Sequence, residues 1–361
     1  VTTTRNLRIA VVLPRGYTFD PAHPNSIETV VRTFAAFTRH DVTVFADGDG
    51  KASDIPTRRI SGTGRRARNR ALAAELRAFA PDLIEAHQHI PTAYALAKAL
   101  PQIPVVLVRH NIDKEPVNPL RRWWHGRRLW AFAGIVFVSR FLRDTFLARH
   151  PALVANSHVI QNAIDTAPWR AEVAGKEKLI VYSGRALEHK GFDAFCYAAA
   201  TLLENHPDWR VEICALAFED DPYFAAEAVE PLEAFGDRFT LHKDQPMDMV
   251  RSVVKRAAIL VIPSEVQEAF GLVALEAHAA GCAVVTSGRG GLLEASGDHA
   301  VVLPAITGPH IVEACAPLIA DKAARETLAR AGQAFVETGH NLKKRTADLD
   351  DLREKVTVGR N

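Results

Sequence analysis

Residues 263–294 read PSEVQEAFGLVALEAHAAGCAVVTSGRGGLLE, and the fold class turns on how they are read. Residues 257–262 ahead of them, AAILVI, form an unbroken apolar run closed by Pro263-Ser264. That is the pattern of a strand buried in a parallel sheet. Ala269, Leu272, Val273, Leu275 and Ala277 then carry helical, largely buried patterning, which predicts a helix over 270–280. Seven residues separate Glu268 from Glu276. On a continuous helix eight positions turn through about 800°, leaving the two acids about 80° apart in direction and about two turns apart in height. Glu268 is thus placed at or just before the helix start and Glu276 in its second or third turn. Gly271 lets backbone approach a ligand closely. Next to it Leu272 lies at a helix end whose free N–H groups and dipole favour an anion such as phosphate. A second apolar strand, 282–286, a loop, 287–291, and a third acid, Glu294, complete the stretch.

The same alternation extends outward in both directions. Strands are expected at 7–14, 41–46, 82–87, 104–110, 134–139 and 158–161, with helices over 27–38, 68–79, 92–100 and 140–149. In the second half strands are expected at 179–183, 210–216, 239–242, 257–263, 282–286 and 300–303. Helices are expected there over 192–204, 222–236, 248–256, 270–280, 310–319 and 322–337, followed by a highly charged helix over 342–355. Strand–helix alternation implies parallel sheets covered on both faces, with ligands outside the carboxyl ends of the strands. A length of 361 residues suggests two domains or three.

Composition excludes several classes. Apolar residues make up 48% and charged residues 24%, ordinary for a soluble globular chain. A net charge of +2 gives no general case for nucleic acid. There is no apolar run of transmembrane length, and the N-terminus lacks the layout of a signal peptide, so a cytoplasmic location is expected. Cys196, Cys214, Cys282 and Cys315 are scattered through apolar segments without a C-x-x-C. Reduced, buried thiols fit that better than disulfides or zinc.

A second chemical cluster lies at 183–195, SGRALEHKGFDAF. A strand ends at Gly184-Arg185, and Lys190-Gly191 opens the next helix. An Arg and a Lys converging on a helix N-terminus form a clamp for pyrophosphate, two cations plus free N–H groups. Asp47-Gly48-Asp49 follows a strand as DGDGK, a turn composition rather than a metal triplet. The loop at 14–26 ends in PNS, where Asn25 or Ser26 caps the following helix. His87, His89 and His110 fall at or just after strand C-termini, where a doubly wound sheet places functional groups; the alternative for each is a hydrogen-bonded structural histidine.

These motifs together resemble family 4 glycosyltransferases. The family signature of E-x7-E followed by Gly-Gly-x-x-Glu corresponds to Glu268, Glu276 and Gly290-Gly291-Leu292-Leu293-Glu294. Its G-R-x4-K-G corresponds to Gly184, Arg185, Lys190 and Gly191, and its I-x-N-G-V-D to IQNAID at 160–165. Ala269 and Ala163 stand where the family usually has Gly, Ala283 where it has Pro, and Asn25-Ser26 where it often has Gly-Gly. The resemblance implies the GT-B architecture, two doubly wound parallel-sheet (Rossmann-like) α/β domains facing across a cleft. Residues 1–165 would bind the acceptor and 166–340 the nucleotide sugar, joined by a polar linker at 166–178. The helix of 341–361 would return to the first domain.

It implies transfer of a hexosyl group from a UDP- or GDP-sugar to a saccharide or lipid-linked saccharide, with retention, in assembly of surface polysaccharide or lipopolysaccharide. In that reading Arg185 and Lys190 stabilise the leaving diphosphate, Glu268 contacts the donor sugar and Glu276 the ribose hydroxyls. Gly290 and Gly291 approach the sugar, Asn25 and Ser26 face the donor, and His110 lies near the reacting sugar. No metal or other cofactor is expected, because side chains supply the positive charge. The alternatives are a nucleotide-sugar 2-epimerase of the same fold and a non-catalytic sugar-nucleotide-binding protein.

One stretch stands outside these motifs. Residues 119–130, PLRRWWHGRRLW, hold four Arg and three Trp: Arg121, Arg122, Arg127 and Arg128 with Trp123, Trp124 and Trp130. One reading is a helix with a solvated basic face and a Trp-packed inner face. Another is a peripheral contact with an anionic membrane surface or a phosphorylated lipid acceptor. Nucleic acid is the weakest reading, because no nucleic-acid-binding motif accompanies the stretch.

Overall fold

The computed structural model describes residues 6–20, 25–48, 55–62, 64–112 and 118–358, with the side chains of 119, 121 and 122 excepted. The chain divides into two compact units, residues 1–163 with 342–361, and residues 164–341.

The first unit runs β1 (Arg8–Val12), α1 (Ser26–Ala35), β2 (Asp41–Asp47), β3 (Thr57–Ile60), α2 (Arg65–Phe79), β4 (Leu83–His87), α3 (Ile90–Ala99), β5 (Val105–Arg109), α4 (Pro119–Leu129), β6 (Gly134–Phe137), α5 (Arg140–Leu147) and β7 (Ser157–Val159). The second runs β8 (Glu177–Arg185), α6 (Phe192–Asn205), β9 (Arg210–Leu216), α7 (Pro222–Glu233), β10 (Phe239–Lys243), α8 (Met247–Arg256), β11 (Ala257–Ile262), α9 (Leu272–Ala279), β12 (Ala283–Thr286), α10 (Leu292–Ser296), β13 (Ala300–Val302), α11 (Gly308–Ala320) and α12 (Lys322–Gly339). The last helix, α13 (Leu342–Val358), belongs to the first unit. The short strand β3 and the helix α10 are additions to the expected elements; both are too brief to carry a period.

Each unit is a doubly wound sheet whose paired strands are all parallel. The first has the order β3-β2-β1-β4-β5-β6-β7 and the second β10-β9-β8-β11-β12-β13. Winding reverses between β1 and β4 in one and between β8 and β11 in the other, and these switch points open crevices at the strand C-termini. The apolar runs follow from burial on both faces: Ala257 to Val261 of β11 are at most 2% exposed. All four cysteines are free and buried.

Two packing details depart from the sequence expectation or go beyond it. The polar linker expected at 166–178 is anchored at two points over 166–176, which are otherwise largely exposed. Trp169 and Val173 are buried, and Arg251 lies over the Trp169 ring at 5.3 Å. Strand β4 carries a fully buried acid, Glu85, which accepts two 2.8 Å bonds from Arg353 of α13. Arg353 also reaches Asp350 at 2.8 Å, and Leu352 enters the core beside Ile9 and Val11. A charge buried at this depth persists only when paired and hydrogen-bonded, so the pair explains how α13 tolerates Arg353 in the core.

Candidate functional site

In the second unit the switch point is built by the ends of β8, β11 and β12. Near the end of β8 lies Gly184, where a Cβ would stand 3.2 Å from the Tyr182 hydroxyl that donates to Arg185 O. A short turn, 188–190, ends on Lys190. Gly191 follows with φ +67°, as the N-cap of α6. A Cβ on Gly191 would lie 2.1 Å from Pro263 O, so only glycine lets this turn sit against the end of β11. Glu265 N donates to His189 O at 3.0 Å and closes the contact.

That seating brings Lys190 Nζ to 2.6 Å from Glu268 Oε1, and Ser264 Oγ donates to the same oxygen at 2.7 Å. Lys190 and Glu268 stay partly exposed, whereas Ser264 is buried. Arg185, at the end of β8, is half exposed and pairs with Asp220 at 2.6 Å. Each cation therefore holds one carboxylate. Sequence reading missed both Ser264 and Asp220. Ser264 carried a signal in its position two residues after β11 and four before Glu268; Asp220 carried none.

Glu268 does not share a helix with Glu276. Helix α9 starts at Leu272, and Glu268 instead forms a parallel bridge with Gly290. The expected angle of about 80° between the acids, which assumed a continuous helix, therefore does not apply. The reason is backbone proximity. Gly291 N donates to Glu268 O at 2.8 Å, and a Cβ on Gly290 would lie 2.4 Å from that carbonyl. A Cβ on Gly291 would meet Ala269 O at 2.5 Å. The Gly-Gly pair thus holds the loop against 268–270.

Gly271, with φ +102°, packs on Leu292 and caps α9 with no side-chain hydrogen bond. Ala274 N donates to Gly271 O at 3.1 Å, and the N–H groups of Leu272 and Val273 are left for other partners. Glu276 sits in the second turn, partly exposed, with no hydrogen bond to its carboxylate among the described residues. Burial pushes that carboxyl up to about 7, against the opposing pull of Arg251. Glu294 lies in the first turn of α10, partly exposed.

In the first unit Asn25 is the N-cap of α1, its Oδ1 accepting from Ile27 N and Glu28 N at 3.0 Å each. Ser26 is exposed as the first helical residue. Glu28 is buried and accepts from Phe19 N at 3.0 Å, tying down the loop after β1. His110 is buried against His87, rings stacked 5.0 Å apart, with His87 Nδ1 2.8 Å from His110 Nε2. Burial, then Arg353, lowers His87 to about 3. Burial, His87 and Arg109 hold His110 well below its ordinary value. Asp47 ends β2, pairs with buried Arg68 and accepts from Gly16 N at 2.8 Å. Asp49 lies outside the described residues.

Helix α4 corrects the Trp-packed expectation. Trp123, Trp124 and Trp130 are 52%, 52% and 62% exposed. Arg127 lies over the Trp123 ring at 4.8 Å, and Arg128 over Tyr94 at 5.5 Å. The side chains of Arg121 and Arg122 lie outside the described set. Among the described residues no helix is long and apolar enough to cross a membrane, and no group of three or more His, Cys, Asp or Glu is arranged to hold a metal ion.

Comparison with known proteins bears on this arrangement. Residues 164–335 match the family model for glycosyl transferases group 1, and residues 25–168 that for glycosyltransferase family 4. The lipopolysaccharide core biosynthesis mannosyltransferase LpcC of Rhizobium leguminosarum is 30% identical over 58% of this chain and 71% of its own length. The alpha-maltose-1-phosphate synthase of Mycolicibacterium smegmatis is 31% identical over 56% of this chain, which spans 58% of that relative. Among solved structures, Anabaena HepE in complex with UDP and glucose superposes with a TM-score of 0.78 at 17% identity, over 97% of this chain and 100% of that one. A glycosyltransferase from Rickettsia africae gives 0.79 at 12% identity, over 98% and 99%. These two structures bear on the fold alone. Together the two family models span both units, and the chain belongs to the group 1, family 4 glycosyltransferases.

Proposed function

We propose that the protein transfers a hexosyl group from a UDP- or GDP-sugar to a hydroxyl of a saccharide or lipid-linked saccharide, with retention of configuration, in assembly of surface polysaccharide. The observation that carries this is the cluster of Lys190, Glu268 and Ser264 beside the uncapped start of α9, at the β8/β11 switch point. The barrier is departure of the diphosphate from an oxocarbenium-like sugar. Lys190, Arg185 and the α9 N–H groups stabilise the negative charge that develops on the leaving group. Glu268, positioned by Lys190, Ser264 and the Gly290 backbone, accepts hydrogen bonds from the donor sugar. Glu276 accepts from the ribose hydroxyls. The relatives' names, a mannosyltransferase and a maltose-1-phosphate synthase, support a hexosyl donor. The test is release of nucleoside diphosphate from UDP- and GDP-sugars with and without saccharide acceptors. Release that never depends on an acceptor rejects the transferase reading and favours the epimerase alternative; no release with any donor favours a non-catalytic binder.

We further propose that α4 rests on an anionic membrane surface from the cytoplasmic side. Three exposed indoles and two described arginines occupy one eleven-residue helix and the residue after it, and residues 118–130 contain no acid. Indoles favour the interface, and each arginine near anionic lipid is worth about 1 kcal/mol. Sedimentation with phosphatidylcholine vesicles carrying increasing phosphatidylglycerol is expected to show binding that salt weakens. No binding at low salt, or unaltered binding once Arg121, Arg122, Arg127 and Arg128 are changed to Gln, rejects the contact.

A further inference from the structure

Helix α2 begins against its own dipole. A helix N-terminus favours acids and disfavours cations, yet the first six residues of α2 read RRARNR and its first turn has no acid. Its N-cap, Gly64, makes no side-chain cap bond. Arg65 and Arg66 are exposed and form no ion pair among the described residues. Helix α3 starts beside it, also without a side-chain cap or an acid in its first turn. The two starts are joined: His89 Nδ1 lies 2.8 Å from Thr92 Oγ1, which donates to Asn69 Oδ1 at 3.2 Å. Arg68 lies behind them, 2% exposed. Its Nε is on Asp47 and its Nη2 on Leu13 O, and its Nη1 is buried with no partner among the described residues. Burial first, then Arg65, Arg68 and Arg109, hold the His89 imidazole below its ordinary value, so these three charges bear on one spot. That spot adjoins the C-terminal ends of β1 and β4, the switch point of this unit.

We propose that this corner binds a phosphoryl group carried by the acceptor. Arg65, the N–H groups of residues 65–67 at the start of α2 and the Ile90 N–H at the start of α3 contact its oxygens, and Arg68 and Arg109 add their field from behind. The substrate class is then a phosphorylated saccharide or a saccharide on a lipid phosphate, two sources of the same group. The proposal rests on the transferase reading for the word acceptor, but the site itself can be tested without turnover.

Inorganic phosphate is titrated into the ¹⁵N-histidine-labelled full chain, and the His89 imidazole resonances are followed. The Lys190→Ala variant serves as a background in which phosphate binding at the second unit is weakened. A saturable His89 shift is expected in both proteins, with affinity at least about tenfold weaker in Arg65→Gln, in line with loss of a charge-assisted bond. Absence of a saturable shift, or equal affinity in Arg65→Gln, overturns the site. A second arm compares transfer to hexose phosphates in solution, and to a lipid-diphosphate-linked saccharide in phosphatidylcholine vesicles, each against its unphosphorylated counterpart. A preference of about tenfold or more for one phosphorylated form, narrowed in Arg65→Gln, supports the proposal and names the source. Equal transfer to phosphorylated and unphosphorylated acceptors overturns it and leaves the transferase reading standing.

Discussion

Lys190 illustrates how much chemistry one side chain can concentrate. Its Nζ, 78 positions from Glu268 in sequence, shares one oxygen of that carboxylate with Ser264 Oγ, beside free helix N–H groups. Lys190→Ala removes the positive charge nearest Glu268, and Arg185→Ala removes one at the end of β8. Each is expected to lower turnover about 10²-fold or more while far-ultraviolet circular dichroism stays unchanged. Near-normal turnover in either variant removes that residue from the clamp. If side chains supply the stabilising cations, as proposed, turnover persists in EDTA. Loss to the chelator, with rescue by magnesium or manganese, would reject the metal-free mechanism. Glycine at 290 is held to a tighter standard than most. Gly290→Ala drives a methyl into Glu268 O, whereas Gly175, also in the left-handed region, has nothing within 4 Å of the same position. Gly175→Ala should cost only the backbone strain, about 1–2 kcal/mol, and leave kcat unaltered. Gly290→Ala should lower kcat as well, because the displaced backbone carries Glu268.

At the level of elements, helix α9 joins a start without a side-chain cap to a buried inner face. His278 of α9 is fully buried, with no partner for either ring nitrogen among the described residues, and packs so closely on α12 that a Cβ on Gly332 would lie 2.2 Å from its Nδ1. Burial, with smaller contributions from His299 and His340, lowers it to about 3. A histidine held neutral in the fold binds fewer protons than the unfolded chain between that value and the ordinary one near 6.5. Stability is therefore full above pH about 6.5 and falls as pH drops. At pH 5 the loss is about 2 kcal/mol for such a group. His278→Leu is expected to flatten this dependence, read as the difference in urea midpoint between pH 7.5 and pH 5. An unchanged difference would mean that His278 does not titrate this way. Strand β4 carries the same signature in His87, also about 3, so the first unit should lose stability over the same range.

For the molecule as a whole, the notable feature is that the last helix is assigned to the unit containing the first strand. The link is chemical: Arg353 of α13 is paired with Glu85, 268 positions earlier, and Thr38 Oγ1 donates to Asp350 at 2.6 Å. Removing one partner of a buried ion pair leaves the other charged and unpaired. Arg353→Met is thus expected to destabilise the first unit by about 3–5 kcal/mol, measured by urea unfolding. A loss below 1 kcal/mol, about what an exposed pair contributes, would show that α13 is held by apolar contacts alone.

Strand–helix alternation was legible because periodicity is a local property: a strand buried on both faces must be apolar throughout, as β11 is. That was enough for the α/β class with parallel sheets, and family motifs named the residues to look for. Proximity is not local, and only the folded chain decides it. The seven-residue spacing placed Glu268 at or just before the start of the helix that holds Glu276, but only the fold shows that the backbone of Gly290 and Gly291 claims Glu268 for a bridge. Three tryptophans set among four arginines suggested a helix with a packed inner face, yet burial depends on what stands opposite, and α4 leaves them exposed. The arginines at the start of α2 carried no motif at all; their meaning comes from α3 and from the buried Arg68 set beside them. Short-range pattern sets which elements form, and long-range packing sets which charges meet, because a side chain's electrostatics depend on neighbours the chain brings in from far along its length.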